Sequence, residues 1–308
     1  MKQEPILLGQ DTPYTLKGML TLPDGPGPFP AAVLVHGSGS SNMDEKVGKL
    51  TPFKDIAQGL ARRGVATIRY DKRSFAHGLK LLMDKRRPIT AWEETIEDAL
   101  LAARLLRADS RIDPGRVFLA GHSMGGMLAP RIECSGGYFA GLILLAGSPR
   151  RLEEILLDQT REAAGTMSGL GGRILKKQLI KLQKTFEGLY GLSDEEAKTR
   201  KVGNGTTLYY FKDMGQPTVA QWLEKTHKPM LVMQGGGDVQ VKADVDFRLY
   251  RELLGGRANV TFRLYPGLGH AFVPAIATSA ADAKKEFAKE RHIGAQVLDD
   301  LADWIHAQ

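Results

Sequence analysis

Short apolar runs alternate along the chain with stretches of helical periodicity. The runs predict strands near 15–21, 31–36, 65–70, 116–120, 142–147, 230–234 and 259–264. Helical periodicity predicts helices near 53–63, 93–107, 124–133, 244–254 and 293–306. Several runs are apolar at nearly every position, which is typical of strands covered on both faces. The alternation of strands and helices indicates an α/β fold, with a mostly parallel central sheet and helices on both sides.

One interval breaks this alternation. About eighty residues separate Gly147 from Pro229, whereas one strand–helix step needs roughly twenty to thirty. Within the interval, apolar residues form one helical stripe: Leu175, Leu179, Leu182, Phe186 and Leu189. Lysines occupy the other face of that helix: Lys176, Lys177, Lys181 and Lys184. We predict that 150–228 is a helical cap or lid inserted into a core domain made of 1–149 and 229–308. A membrane-surface helix shows the same pattern, although packing onto the parent domain is commoner.

Composition places the chain among globular proteins. Of its 308 residues, 43% are hydrophobic and 25% are charged, which argues against a disordered chain. The single cysteine, Cys134, excludes an intramolecular disulfide and is interpreted as a core residue. No run reaches the roughly 18 apolar residues that a membrane-spanning helix needs. The first residues show no signal peptide, so a cytoplasmic location is expected.

The net charge of +7, from 42 Lys and Arg against 35 Asp and Glu, narrows the possible partners. The excess lies mainly in 72–87 and 173–184, and neither segment carries a nucleic-acid motif. We interpret both segments as solvated surface charge. The sequence therefore predicts no nucleic-acid partner and no stable membrane insertion, and it leaves open whether the protein is a monomer or a homodimer.

A candidate nucleophile follows the strand near 116–120. Residues 121–125 read Gly-His-Ser-Met-Gly, a G-x-S-x-G pattern between a strand and a helix. A nucleophilic serine on so tight a turn needs neighbours without side chains, which Gly121 and Gly125 provide. The backbone N–H of Met124, at the start of the helix, can then face a developing oxyanion. His122 is expected to point away from the nucleophile and to support the turn.

A second candidate element ends the strand near 31–36. It reads His36-Gly37-Ser38-Gly39, and its small residues allow the backbone to approach a substrate closely. The N–H of Ser38 is the candidate for a second oxyanion donor, with His36 and Gly37 as support. Taken alone, the segment is equally compatible with an ordinary strand–helix loop that contains a structural histidine.

Two later strands run into turns that deliver a carboxylate and an imidazole. Asp238 follows the strand near 230–234, and His270 follows the strand near 259–264. A serine hydroxyl needs an imidazole to accept its proton, and the imidazole needs a carboxylate to hold its tautomer. With Ser123, all three residues lie just past strand ends, where open α/β sheets bind ligands.

The other carboxylates and histidines of the chain are weaker candidates. Asp244 and Asp246 could replace Asp238 as the acid, but both are expected near the start of the next helix. Asp71 and Arg73 are interpreted as a local structural pair. The histidines show no H-x-H or H-E-x-x-H spacing, so no metal site is predicted. No dinucleotide or nucleotide fingerprint follows a strand, so no cofactor is predicted.

Five motifs in this order resemble the α/β-hydrolase superfamily, within it the esterase and dienelactone-hydrolase-like branch. They are His-Gly-Ser-Gly at 36–39, Tyr-Asp-Lys-Arg at 70–73, Gly-His-Ser-Met-Gly-Gly at 121–126, Gly-Gly-x-Asp at 235–238 and Tyr-Pro-Gly-x-x-His at 265–270. The resemblance covers the chain outside 150–228. It implies Ser123 as nucleophile, His270 as base and Asp238 as acid, with oxyanion N–H groups from Ser38 and Met124. Relatives often carry Asn before the histidine, where this chain has Gly269.

The expected function is therefore a cofactor-independent serine hydrolase that cleaves a small carboxylic ester through an acyl-enzyme. Leu182 and Phe186, on the predicted cap, are the candidate pocket residues. A thioesterase or acyltransferase, or an acyl-peptide hydrolase, would use the same three residues. A catalytically silent hydrolase fold that binds a ligand is the alternative from another class.

Overall fold

An eight-stranded sheet organises the chain, for which a computed structural model describes residues 1–84, 88–203 and 206–308. Its strands are β1 (Lys2–Leu8), β2 (Leu16–Leu22), β3 (Phe29–Val35), β4 (Ala66–Tyr70), β5 (Ile112–His122), β6 (Leu142–Leu145), β9 (Met230–Gly235) and β10 (Val260–Tyr265). Two further short strands, β7 (Lys201–Gly203) and β8 (Thr206–Thr207), pair with each other apart from this sheet. The sheet order is β1-β2-β4-β3-β5-β6-β9-β10. Strand β2 pairs antiparallel with β1 and β4, and the pairs from β4 to β10 are parallel. The predicted mostly parallel sheet is confirmed.

Helices cover both faces of this sheet. They are α1 (Pro52–Ala61), α2 (Arg73–Ala76), α3 (Gly78–Met83), α4 (Glu97–Ala108), α5 (Met124–Ile132), α6 (Leu152–Thr166), α7 (Gly169–Phe186), α8 (Asp194–Thr199), α9 (Leu208–Gly215), α10 (Val219–Lys225), α11 (Arg248–Leu254) and α12 (Ala295–Ala307). Helices α1 and α12 pack against one face, and α4, α5 and α11 pack against the other. Each fully buried Leu or Ile in these layers stabilises the fold by about 1.5–3 kcal/mol.

Of the eight strands in the main sheet, β1 is the one that the hydrophobic pattern does not predict. It lies at the edge of the sheet, and most of its side chains are exposed or half-buried. An edge strand with a solvated face contains polar residues, here Lys2, Gln3 and Glu4, so it lacks the continuous apolar run of a central strand.

The segment 150–228 contains helices α6 to α10, a short antiparallel pairing of β7 with β8, and a 3-10 turn at Leu189–Gly191. The predicted amphipathic helix is present as α7, but it ends at Phe186, so Leu189 lies in the following turn. Buried residues of the segment, such as Ile155 and Phe211, join the same apolar cluster as the sheet.

The basic segment 72–87 is not uniformly solvated, contrary to the interpretation from sequence. Lys72 and Arg73 are each only 1% exposed. Charges this deeply buried need partners, since desolvation of an unpaired charge is costly. Residues 85–87 lie outside the described part of the chain.

Arg73 does not pair with Asp71, and that prediction was wrong. Its guanidinium donates to both carboxylate oxygens of Asp98 and, at 2.7 Å, to Glu97, and both acids lie on α4. Asp71 instead accepts the backbone N–H of Met43 at 2.8 Å. Adjacent charges in sequence pointed to a local pair, whereas the helical turn at Arg73 directs its side chain toward α4.

Cys134 is exposed, so its interpretation as a core residue was also wrong. It lies in a π-helical turn, Glu133–Gly137, that continues α5. The wider turn rotates Cys134 away from the buried face that α5 presents to the sheet. None of the helices in the described ranges is long and apolar enough to cross a membrane.

Candidate active site

Ser123 stands on a strained turn between β5 and α5. Its φ of 54° lies in the left-handed region that side chains disfavour. A Cβ at position 121 would lie 2.2 Å from the carbonyl oxygen of Gly125, and a Cβ at 125 would lie 2.2 Å from that of Val35. Only glycine fits either position, so the turn can close and place Ser123 at the carboxyl end of the central strand.

The segments that carry the two candidate oxyanion donors meet at this turn. Met124 is the first residue of α5, and the N–H groups of a helix's first turn have no carbonyl partner within the helix. Ser38 lies on the loop after β3, and a Cβ on its neighbour Gly37 would lie 3.1 Å from Cβ of Ser123. The loop therefore lies directly against the serine, with the side chain of Ser38 exposed.

Asp238 and His270 form a buried pair on the loops after β9 and β10. The Nδ1–H of His270 donates to Oδ2 of Asp238 at 2.7 Å. The same carboxylate accepts the side-chain amide of Gln234 and the backbone N–H groups of Gln240 and Val241, at 2.8–3.0 Å. This fixed carboxylate holds the proton of His270 on Nδ1 and leaves Nε2 as the nitrogen that can accept a proton.

The alternative acids do not contact His270. Asp246 is fully buried and accepts hydrogen bonds from Ser148 and Arg150 at 2.6 and 2.8 Å. Asp244 is exposed on the π-helical turn Ala243–Phe247 that precedes α11.

The motifs and this geometry agree with the comparison to known families. Residues 32–289 match the sequence model of the alpha/beta hydrolase family. The chain belongs to this family. The resemblance inferred from the five motifs is thus confirmed at the family level.

This alpha/beta hydrolase is similar to several proteins that are named as esterases. It is 34% identical to esterase EstD of Thermotoga maritima over 94% of its own length, and it spans 65% of EstD. Est1E of Butyrivibrio proteoclasticus superposes with a TM-score of 0.58 at 14% identity, covering 99% of both chains. A Pyrococcus furiosus esterase superposes with a TM-score of 0.56 at 16% identity, covering 99% of this chain and 91% of its own. At these identities, the two structures support the shared fold.

The structure gives a steric reason for Gly269, where relatives often carry Asn. A Cβ at this position would lie 2.6 Å from a carboxylate oxygen of Glu286. Glu286 is buried and faces the backbone N–H groups of Ile276 and Ala277 at 3.4 Å. The carboxylate of Glu286 therefore occupies the space that a side chain at 269 would need.

A buried charged network, which the sequence analysis missed, fixes the loop after β3 from both sides. The N–H of Gly37 donates to Glu45 at 2.7 Å, and the carbonyl of Gly37 accepts from Nζ of Lys72 at 2.8 Å. Lys72 also lies 3.2 Å from Glu94, which accepts the hydroxyl of Tyr210 at 2.6 Å. No spacing rule marks Glu45, because its partners come from distant parts of the chain.

Glu45 also connects the loop to His270 through His122. Oε2 of Glu45 lies 3.0 Å from Nδ1 of His122, and Nε2–H of His122 donates to the carbonyl of His270 at 3.0 Å. Glu45 itself has a strained φ of 50°. His122 thus points away from Ser123 and supports the histidine loop, while Glu45 holds both His122 and Gly37.

The carboxylate of Glu45 and the imidazole of His122 stabilise each other's charges. Burial works to lower the pKa of His122, but the Glu45 carboxylate outweighs it and raises that pKa above its ordinary value. Burial works to raise the pKa of Glu45, but the charge of His122 holds it below its usual range. His36 behaves differently: burial lowers its pKa to about 4, so it is neutral and donates from Nε2 to the carbonyl of Asn42.

Replacing Glu45 tests whether it is a positioning residue. Glu45→Ala should lower kcat about ten- to a hundredfold with little change in KM, because displacing the loop that carries the candidate oxyanion donor should weaken transition-state stabilisation more than substrate binding. Glu45→Gln keeps an acceptor for Gly37 and should recover part of the loss. Asp71→Asn is the matched control, since Asp71 holds Met43 on the same loop without contacting Gly37 or His122. Equal losses of kcat in Glu45→Ala and Asp71→Asn would contradict a positioning role for Glu45.

The pair also predicts how stability depends on pH. The raised pKa of His122 contributes stability that is lost as pH rises through its folded-state pKa. The lowered pKa of Glu45 contributes stability that is lost as pH falls through the folded-state pKa of Glu45. The stability advantage of the natural protein over Glu45→Gln, measured by urea unfolding, should therefore shrink toward both extremes of pH.

Proposed function

We propose that the protein is a carboxylic ester hydrolase that uses Ser123, His270 and Asp238. The observation that carries this proposal is the 2.7 Å hydrogen bond between His270 and Asp238, on loops beside the strained turn of Ser123. The 34% identity to esterase EstD supports an ester as the substrate. The proposed reaction needs no metal and no organic cofactor.

In the first half-reaction, Oγ of Ser123 attacks the ester carbonyl carbon while Nε2 of His270 accepts the serine proton. Asp238 stabilises the resulting imidazolium through Nδ1–H. The N–H groups of Ser38 and Met124 donate to the oxyanion, and the tetrahedral intermediate expels the alcohol with the proton from His270. Water then attacks the acyl-enzyme by the same route, and the carboxylic acid leaves with Ser123 restored.

We propose that α9 of the segment 150–228 forms one wall of the acyl pocket. The hydroxyl of Tyr210 lies 3.4 Å from Sδ of Met124, so α9 reaches the residue after the nucleophile. Phe211 packs against Phe186 with ring centroids 4.8 Å apart. Leu182 packs against the large apolar cluster that contains both rings. The Phe186–Phe211 contact is therefore the point where we propose that α7 supports this wall.

A substrate panel tests the proposed reaction. It contains nitrophenyl esters of rising chain length, phenolic-acid methyl esters, acyl thioesters and an acylated dipeptide. We expect turnover of the oxyesters, with a burst of nitrophenol equal to the enzyme concentration when deacylation is slow. Faster turnover of thioesters would reassign the substrate class, and no turnover of any substrate would indicate a silent fold.

Shortening the supporting residues should change chain-length preference. Phe186→Ala and Leu182→Ala should shift the preferred acyl length and raise KM for the best ester, because the wall they support would relax. Turnover of an acetate, which does not reach the wall, should change little. Ile180→Ala removes an exposed side chain from the opposite side of α7 and is the matched control. An unchanged acyl chain-length profile in folded Phe186→Ala protein would show that α7 does not shape the pocket.

A further inference from the structure

Helix α7 turns a basic and apolar face outward. Its five cations are all exposed: Arg173, Lys176, Lys177, Lys181 and Lys184. The helix contains no acidic residue. Three large apolar side chains lie among the cations, Leu170 at 73% exposed, Ile174 at 56% and Ile180 at 54%. At about 100° per residue, these eight positions share an arc of about 160°.

The opposite side of α7 already has its partners. Phe186 is buried, and Leu175, Leu179 and Leu182 are half-buried. The outward apolar residues are therefore not the side by which α7 packs on the protein. A helix whose inner face is satisfied normally presents a purely polar outer face. Met167, 44% exposed just before α7, extends the outward apolar surface.

The five cations have no carboxylate partner within 4 Å anywhere in residues 1–84, 88–203 and 206–308. Several other exposed cations are paired, as Lys2 is with Glu4 and Arg248 with Glu252. The outer face of α7 is thus an unneutralised positive surface with apolar side chains inside it.

We propose that this face docks the protein on an anionic lipid surface. Lipid headgroups supply the missing negative charges, and the acyl boundary accepts Leu170, Ile174 and Ile180 while the lysines reach the phosphates. A second copy of the chain fits this face poorly, because two surfaces of five unpaired cations repel each other. The inference does not depend on the proposed hydrolase activity.

Vesicle co-sedimentation of the full chain tests this inference. Vesicles of phosphatidylcholine alone are compared with vesicles containing 30% phosphatidylglycerol, roughly the level that gives a strong surface potential. We expect binding to the anionic vesicles only, weakening steeply as salt shortens the Debye length. The triple variant Lys176→Glu, Lys177→Glu, Lys181→Glu should weaken binding about a hundredfold or more. Leu170→Ser with Ile174→Ser should weaken it at low and high salt alike.

The matched control carries the same charge change elsewhere. Lys54→Glu, Lys284→Glu and Lys289→Glu alter exposed cations outside α7 and should leave vesicle binding near that of the natural protein. Equal weakening by both triple variants would show attraction by net charge alone and overturn the proposal. No binding to anionic vesicles would overturn it too, as would an α7 variant that alters oligomer size in light scattering. Unchanged melting temperatures exclude misfolding, since every substituted side chain is exposed.

Discussion

Replacing Ser123 by alanine should abolish ester turnover and leave the fold intact. Loss of the nucleophile from a serine–histidine–aspartate site costs about a million-fold in kcat. The substitution removes only Oγ, and the backbone N–H that donates to Leu145 at 2.8 Å remains. The turn at residues 121–125 should therefore keep its shape, and the melting temperature should stay near that of the natural protein.

The measurement pairs turnover of a nitrophenyl ester with covalent labelling by a fluorophosphonate, which reports the activated serine directly. Ser40→Ala is the matched control, because Ser40 is an exposed serine on the nearby loop after β3. It should label and turn over like the natural protein. A Ser123→Ala protein that still labels would place the nucleophile at another residue.

The parts of the fold that the sequence predicts are those governed by local pattern. Central strands such as β3 and β6 are buried on both faces, so nearly every residue is apolar and the run is easily recognised. Ser123 and Asp238 follow two such strands, β5 and β9, and His270 follows the edge strand β10. Their placement at one edge of the sheet therefore follows from strand ends and chain order, before any tertiary contact is known.

The missed features depend on contacts between distant residues. Glu45 is one acidic residue in a polar loop, and only the fold brings it to Gly37 and His122. Lys72 and Arg73 looked like surface charge, because sequence does not show that carboxylates on other elements neutralise them inside the protein. Buried ion pairs require the three-dimensional arrangement that defines their partners.

The second-largest effect on activity is expected from replacing the candidate acid, Asp238, and the structure offers Asp246 as a close comparison. Asp238→Asn should lower kcat by about four orders of magnitude, because an amide cannot stabilise the imidazolium and can hold the wrong tautomer of His270. Asp246→Asn removes the charge of another fully buried carboxylate that follows β9.

Because Asp246 holds Ser148 and Arg150 instead of His270, its amide variant should lose stability but keep kcat in the folded protein. The two variants are compared by urea unfolding and by kcat at a pH where both are folded. A stable Asp246→Asn protein with a kcat as low as that of Asp238→Asn would transfer the acid's role to Asp246. We expect Asp246→Asn to lose stability but keep its kcat, and Asp238→Asn to lose kcat but keep its stability. This outcome would assign orientation of the imidazole to Asp238, since loss of a merely structural carboxylate would affect unfolding first.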